Sequence, residues 1–317
     1  MSAWSDFIAS QSLAATANTP LLAHCDHLAV IRASGEEAGH YLQGQLTCDL
    51  QDIDHGAHRN GMHLSLKGRG LVSMRVVKSR DGYLLLCPAD KAEDVIKALI
   101  KYRLRAKVDF QVDADAVVLG VAGDLEGTGL SVLPAAGESH CNDHTLALRY
   151  PHTEQMLLIT HGEHAIKLWP QLAANRALTG ANGWLCQDIL AGEAMVFAGA
   201  EDLFLPQVLN YDVTGAVSFK KGCYTGQEVV ARMHFKGKLK QRMQRIDYQA
   251  AIPLAPGQVV RDANGKAAGE VVISARGSDA HHALIVLRRD TDGILFADDQ
   301  PLDSKLVGLP YSLPWKE

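Results

Sequence analysis

Cys223 is the residue whose neighbours best suit it for chemistry. Lys220, Lys221 and Gly222 precede it, and a helix-like run starts at about Gly226. Glycines on both sides allow a tight turn. The positive end of the following helix and the lysine charges both favour a thiolate over a thiol. The pattern therefore predicts an accessible, reactive or ligand-binding thiol, with a buried structural cysteine as the alternative.

The other cysteines form no recognisable metal or disulfide pattern. The six are at positions 25, 48, 87, 141, 186 and 223, without a C-x-x-C pair or Cys/His metal spacing. In a chain of 317 residues this favours reduced thiols and predicts no metal site. The first residues lack the features of a signal peptide, and no apolar run approaches the length of a membrane span. We expect a soluble cytoplasmic protein that does not contact a membrane, whose other five cysteines react slowly.

Charge is distributed unevenly along the chain. The formal net charge is −5, yet residues 218–245 hold eight Lys or Arg and one Glu. This basic stripe favours contact with an anionic partner such as tRNA. An ordinary solvated face is the alternative.

Three segments together resemble a known family. They are K-G-C-Y-T-G-Q-E-V-V-A-R at residues 221–232, Y-L-Q-G-Q-L-T-C-D at residues 41–49, and L-P-Q at residues 205–207 followed by Asn210. They resemble the YgfZ family, the folate-binding, tRNA-modification-linked relatives of the glycine cleavage T-protein, an aminomethyltransferase. In the first segment, the resemblance identifies eight residues as the family's motif: Lys221, Gly222, Cys223, Tyr224, Gly226, Gln227, Glu228 and Arg232.

The resemblance implies a fold and a cofactor. The fold is α+β: a T-protein-like core over residues 1–239, built of two intertwined subdomains, and a small β-barrel over residues 240–317. Folate, as tetrahydrofolate, would bind in a central cavity between core and barrel. Trp184 would stack on the pterin, although a core tryptophan is the alternative. Leu28, which stands where relatives often carry an aromatic, would be the second cofactor-binding residue. Relatives also often have a Glu where this chain has Leu190, three residues before Glu193.

The same resemblance implies an accessory function. The protein would support iron–sulfur cluster assembly or repair, and thereby tRNA modification, with Cys223 as the working thiol acting by ligation or by redox chemistry. Its partners would be cluster assembly proteins or cluster-dependent tRNA-modifying enzymes. A folate-dependent aminomethyl transferase is one alternative, but residues 67–80 contain no Asp or Glu to act as its base. A plain tRNA-binding module is the other alternative. We expect an accessory protein more than an enzyme.

Local patterns predict the elements that position these residues. Residues 1–20 read as a loose arm, 27–32 as a strand, and 36–46 as a helix capped by Ser34 with Glu37 as the capping-box acid. Further helices are predicted at 89–102 and 163–178. Strands and helices without repeated βαβ units indicate an α+β fold. After residue 240, short strands at 243–248, 270–274, 283–288 and 294–297 predict a small barrel, with turns at Pro256-Gly257, Asn264-Gly265 and Asp292-Gly293.

Overall fold

Three β-sheets organise the chain. The computed structural model describes residues 2–291 and 293–314. Two of the sheets are open and carry helices, and the third closes into a barrel. This arrangement confirms the predicted α+β class with a C-terminal barrel.

The first open sheet has five antiparallel strands. In spatial order they are β3 Arg59–Leu64, β4 Gly70–Ser79, β5 Gly82–Pro88, β2 Leu28–Ser34 and β6 Asp109–Val112. One face packs against helices α2 Ala38–Gln45, α3 Leu50–Asp54 and α4 Ala92–Ile100. β4 is buried along most of its length, which explains its nearly continuous apolar sequence.

The second open sheet has six strands and draws them from separated parts of the chain. Their spatial order is β11 Ala177–Thr179, β1 Leu21–His24, β7 Ala116–Ala122, β10 Gln155–His161, β9 Thr145–Arg149 and β8 Ser139–Asn142. β1 pairs antiparallel with β7 and parallel with β11. The chain therefore enters this sheet, leaves to build the first one, and returns.

Helices cover the two faces of the second sheet. α1 Ala3–Ala9 and α5 Gly162–Ala173 pack on one face, and α6 Ala181–Ala191 packs on the other. α6 continues from the sheet to the barrel, where it contacts strand β14 Ala267–Arg276. It thereby connects the two layers.

The C-terminal barrel is closed by six strands. Around the barrel they follow the order β12 Gln241–Gln249, β15 His281–Arg288, β14, β13 Val259–Arg261, β16 Leu295–Ala297 and β17 Gln300–Val307. Its residues Met243, Ile273 and Leu284 share an apolar cluster with Tyr211 and Val230 of the preceding chain. The barrel begins one residue after position 240, and the division into domains there stays a prediction. Asp292, half of one predicted turn, lies outside the described residues.

Two local predictions in the N-terminal part of the chain were wrong. Residues 2–20 of the predicted loose arm are not loose, because Trp4 on α1 is buried edge-on against Trp169, with ring centroids 5.7 Å apart. The predicted capping box does not form: α2 begins at Ala38 without a side-chain cap. The Glu37 carboxylate instead accepts a hydrogen bond from the Lys107 amide at 2.6 Å.

The segment predicted as one helix over 163–178 is divided. α5 ends at Ala173, and Ala177–Thr179 then forms β11 beside β1. The helix ends there because residues 177–179 pair with the parallel strand β1. A helical pattern in the sequence cannot reveal such a distant partner. The helix α6 that follows at Ala181–Ala191 was not anticipated.

A buried ion pair secures the barrel to the core. The Arg242 guanidinium on β12 donates to both Asp212 oxygens, at 3.0 and 2.9 Å, and both side chains are largely buried.

Arg242→Ala would leave Asp212 buried without its cation. We expect the free energy of unfolding to fall by about 3 kcal/mol, measured by urea titration. Lys305→Ala, exposed on β17, should change it by less than about 0.5 kcal/mol, and equal effects of the two substitutions would contradict this account.

Candidate functional site

Thr47 joins the 41–49 motif to the chain that leads into Cys223. It lies in residues 46–49, here called the 46–49 loop, between α2 and α3. The Thr47 hydroxyl donates to the Ala216 carbonyl at 2.7 Å and accepts from the Met62 amide at 3.0 Å. Its carbonyl accepts from the Ser218 amide at 3.0 Å. Thr47 is fully buried, so these bonds fix residues 216–226, here called the Cys223 loop, against the first sheet.

Lys221 holds the same two segments together. Its ammonium donates to the carbonyls of Leu46 and Cys48, at 2.7 and 2.6 Å. Burial lowers the pKa of Lys221 to about 8, against the opposing effects of Cys48 and Asp49. The sequence had suggested Lys221 as a charge partner for Cys223. The structure assigns the ammonium to the 46–49 loop instead.

The third motif fixes the far side of the Cys223 loop. The Gln207 amide donates to the Val230 carbonyl at 2.7 Å, which anchors helix α7 Gln227–Lys236. The Asn210 amide donates to the Met243 carbonyl on β12 at 2.9 Å. Both amide side chains are almost fully buried. The 41–49 motif lies more than 150 residues before the other two in the chain, yet all three meet around one loop.

Cys223 itself is exposed, as predicted. The loop turns into α7 at Gly226, whose φ of +80° suits glycine. A Cβ there would lie 2.6 Å from the Ser65 carbonyl oxygen, so the close approach of the two chains also requires glycine. The Gln227 side chain accepts from the amide of buried Tyr224 at 3.1 Å. These contacts give Gly226, Gln227 and Tyr224 structural parts in presenting the thiol, whereas Gly222, Glu228 and Arg232 are exposed.

Two of the six thiols are exposed. Burial raises the pKa of Cys48 and Cys186 to about 11 and that of Cys87 to about 12. Burial also raises the pKa of Cys25, with help from Asp188. Cys141 on β8 is exposed like Cys223, so burial gives no reason for slow reaction at this cysteine, and the expectation that it reacts slowly stays a prediction. An edge strand leaves its side chains open to solvent.

A cavity of about 290 Å³ opens between the two open sheets. β3 and β4 contribute Asn60 and Arg75, Glu193 follows α6, and residues 213–215 lead into the Cys223 loop. Pro151 and neighbouring loops close it on the side of the second sheet. One side of the cavity is therefore formed by the residues that directly precede the Cys223 loop.

The cavity wall contains polar groups that lack protein partners. One Glu193 oxygen, Oε2, accepts from Arg75 at 3.0 Å and from Asn60 at 2.6 Å. The other, Oε1, has no hydrogen bond to the described part of the chain. Asn60 Oδ1 and Arg75 Nε are buried and also without a partner. Buried polar atoms are nearly always satisfied, so this set fits a ligand that offers both donors and acceptors.

A hydrogen-bonded pair of side chains, Tyr150 and Asp188, lies at the inner end of the cavity. The Tyr150 hydroxyl donates to Asp188 at 2.6 Å, and the Arg75 guanidinium lies 4.5 Å from the centre of the Tyr150 ring. Burial raises the pKa of Asp188 to about 7, although Tyr150 and Arg75 oppose that rise and Glu193 adds to it. A separate small cavity of about 10 Å³ lies between this end and Ile273 of the barrel. Beside Ile273, where a wide cavity between core and barrel was predicted, the space is thus much smaller than the cavity of about 290 Å³ between the sheets.

Trp184 and Leu28 lie in the core and not on this cavity. Trp184 is 0% exposed, with its ring against Gly120 and edge-on to Tyr150 at 6.0 Å. Leu28 belongs to the same apolar cluster. The prediction that Trp184 lines a pocket wide enough for a pterin was therefore wrong for this conformation, because Gly120 leaves room for the indole to pack directly on β7. Any contact of Leu28 with a ligand stays a prediction.

Metal and membrane sites are not found in the described parts of the chain. Within residues 2–291 and 293–314, no cluster of three His, Cys, Asp or Glu side chains could hold a metal ion. Among those residues, no helix is long and apolar enough to cross a membrane.

Known proteins share this sequence and fold. No family model matches the chain. It is 30% identical over 312 residues to the tRNA-modifying protein YgfZ of Escherichia coli (strain SMS-3-5 / SECEC), across 94% of this chain and 96% of the relative. The protein of the same description from Shigella boydii serotype 4 (strain Sb227) matches to the same extent. The chain belongs to the YgfZ family.

The fold of this YgfZ-family chain is also similar to a solved enzyme. Glycine cleavage system aminomethyltransferase T from Bartonella henselae aligns with a TM-score of 0.71 at 16% identity, over 91% of this chain and 85% of the enzyme. This likeness confirms the T-protein-like fold. At that identity it shows the fold alone.

Sequence reasoning missed most residues of the cavity. It singled out Glu193 only as a displaced acid, and it gave no role to Asn60, Tyr150 or Asp188. A signal was nevertheless present: Arg75 interrupts a long apolar strand, and Asp188 interrupts an apolar helix. Charged residues are rarely buried unless they are paired, so each interruption indicated a buried partner.

The raised pKa of Asp188 predicts a specific pH dependence. The folded protein keeps a proton that the unfolded chain releases above about pH 4. The stabilisation from this proton is present at low pH and is lost as pH rises to about 7. Asp188→Asn removes this titration, so its free energy of unfolding should improve relative to the wild type between about pH 5 and about pH 7.5, measured by urea titration. A difference between the two proteins that is the same at both pH values would contradict the assignment.

Proposed function

We propose that this protein is a folate-binding accessory protein of the cytoplasm that supports iron–sulfur cluster assembly or repair, and through it tRNA modification. The observation that carries the proposal is that residues 213–215, which line the polar cavity, continue directly into the loop with the exposed thiol. The curated relatives are described as tRNA-modifying, which supports the last part. Cys223 is the working thiol, and the partners are cluster assembly proteins or cluster-dependent tRNA-modifying enzymes.

The cavity suits the pterin end of tetrahydrofolate. A pterin presents an amino group and a ring N–H side by side, and the open Glu193 Oε1 is an acceptor for such donors. The Arg75 guanidinium donates to the other oxygen of that carboxylate, Oε2, at 3.0 Å and so orients it. Asn60 Oδ1 offers a further acceptor. A volume of about 290 Å³ is at the lower limit of ligand pockets, so the rest of the folate would extend outside. Bound folate supplies a carrier for one-carbon units.

The exposed thiol suits transient contact with iron. Thiolate sulfur is a preferred ligand of iron–sulfur clusters. One cysteine cannot complete the ligand set of a cluster. An exposed Cys223 on a firmly held loop can instead share a cluster with the cysteines of a partner. The cluster is then cargo and not a resident group.

Aminomethyl transfer lacks support from the cavity. In the strand where the resemblance predicts an acid, the buried ionisable group is Arg75. Arginine has no acceptor and stays protonated in proteins, so it cannot serve as the base. This favours the accessory role over the transferase alternative.

Folate binding can be tested on Glu193. Glu193→Gln keeps the side-chain shape but weakens the charge-assisted hydrogen bonds to the pterin. We expect the dissociation constant of tetrahydrofolate to rise by about tenfold or more, measured by isothermal titration calorimetry.

Two further variants sharpen the same measurement. Glu154→Gln removes an exposed carboxylate that pairs with Arg149 at 3.2 Å, outside the cavity, and should leave the affinity unchanged. Trp184→Phe keeps a ring in the core and should leave it within about threefold. Two results would refute the site. One is wild-type protein that does not bind tetrahydrofolate, and the other is an affinity for tetrahydrofolate that is lost in Trp184→Phe but kept in Glu193→Gln.

The thiol can be tested in cells that lack the protein. We expect wild type and Cys141→Ser to restore cluster-dependent tRNA modification and Cys223→Ser to fail, because only Cys223 lies on the loop joined to the cavity. The measurement is the level of a cluster-dependent modified nucleoside in tRNA, with protein amounts checked by immunoblot. Full restoration by Cys223→Ser would remove this thiol from the mechanism.

A further inference from the structure

An exposed group of aromatic rings lies at the end of α7. Phe219 and His234 stack with their centroids 3.7 Å apart and their planes 18° apart. Phe235 packs its edge against both, at 4.8 Å from His234 and 6.5 Å from Phe219. Even so, 71% of Phe235 is exposed. A large aromatic side chain supported by a ring stack yet open to solvent is a good platform for a second flat molecule.

The cations of the basic stripe fall into two groups. Three of its eight are turned inward: Lys221 on the 46–49 loop, Arg242 on Asp212, and Arg245 near Asp247. The other five are exposed, and none forms an ion pair with a described residue: Lys220, Arg232, Lys236, Lys238 and Lys240. Within the described parts of the chain, they have no counter-ion to release before binding an anion.

The rings and the cations form one surface. Arg232, Phe235 and Lys236 are spaced three and four residues apart on α7, so they share one face of the helix. Phe219, which contacts Phe235, is followed directly by Lys220. The acidic residue of the helix, Glu228, lies one turn before Arg232. We call Phe219, His234, Phe235 and the exposed cations Lys220, Arg232 and Lys236 the aromatic–basic patch; Lys238 and Lys240 follow it in the chain.

We propose that the aromatic–basic patch binds unpaired nucleotides of an RNA, with a base stacked on Phe235 and phosphates bound by the surrounding lysines. The proposal rests on the proposed link to tRNA modification and deepens it by naming the contact surface. Proteins recognise single-stranded RNA by stacking bases on aromatic side chains beside basic groups. On a protein of net charge −5, a local cluster of cations also directs an anion to this face. An acidic protein segment would need the charges but not the exposed ring.

A second basic segment of the chain provides a matched control. Tyr102 is 45% exposed and has the Lys101 ammonium 5.3 Å from its ring. There, however, Arg103 and Lys107 are paired with Asp109 and Glu36. Tyr102→Ala therefore removes an exposed aromatic next to a cation at a place where the charges are already partly neutralised.

The test is fluorescence anisotropy with a labelled single-stranded RNA of about twelve nucleotides and the same RNA as a duplex. Wild type should bind the single strand more tightly than the duplex. Phe235→Ala should weaken single-strand binding by about tenfold, and Tyr102→Ala by less than about twofold. Lys220→Gln with Lys236→Gln should make the negative slope of log affinity against log salt shallower by about 1.4, since each phosphate contact to a single strand contributes about 0.7. Phe235→Ala should leave tetrahydrofolate binding unchanged, which separates this proposal from the folate site.

Three results would overturn the proposal. The first is wild type that does not bind the RNA at about 50 mM salt. The second is equal binding by Phe235→Ala and wild type, which would leave a solvated basic face. The third is polyglutamate binding as tight as RNA binding and independent of Phe235, which would indicate an acidic protein partner.

Discussion

The hydroxyl of Thr47 is the contact on which the rest of the arrangement depends. It bonds the carbonyl of Ala216 at the start of the Cys223 loop and the amide of Met62 on β3. β3 also carries Asn60 into the cavity, and residues 213–215 form the opposite part of the cavity wall. One buried side chain thus sets the position of the thiol loop relative to the ligand-binding groups. Buried donors and acceptors that lose their partner destabilise a protein by about 1–3 kcal/mol each.

Buried charge is the second constraint. Arg75 and Glu193 are nearly removed from solvent, with 3% and 9% of their side chains exposed. For a buried ion pair, the cost of removing both charges from water usually equals or exceeds their mutual attraction, so the pair adds little to stability. Removing one partner is nevertheless strongly destabilising, because the other charge stays buried alone. His58, at 3.0 Å from Arg75, is kept neutral because burial and the guanidinium lower its pKa to about 3. The network therefore fixes the direction of the Glu193 carboxylate, on which the proposed folate site depends.

The sequence predicted what is encoded locally. Gly226 before a helical run foretold the turn that exposes Cys223, and short strands separated by Pro-Gly and Asn-Gly foretold the barrel. It could not predict partners that lie far apart in the chain. Lys221 appeared to belong to Cys223 because the two are adjacent, yet its ammonium reaches Leu46, 175 residues away. Trp184 was predicted to stack on a ligand. The sequence could not show that the ring packs on Gly120, because this contact arises only when β7 is paired within the folded sheet.

Amide hydrogen exchange of Thr47→Val tests the central claim, that Thr47 holds the thiol loop and the cavity wall as one unit. Valine keeps the shape of threonine but cannot make either hydrogen bond. The account predicts that peptides covering residues 213–226 and 59–64 exchange faster by about tenfold or more, while strand β15 of the barrel is unchanged. Exchange in residues 213–226 that equals the wild type, or that rises equally in β15, would contradict it.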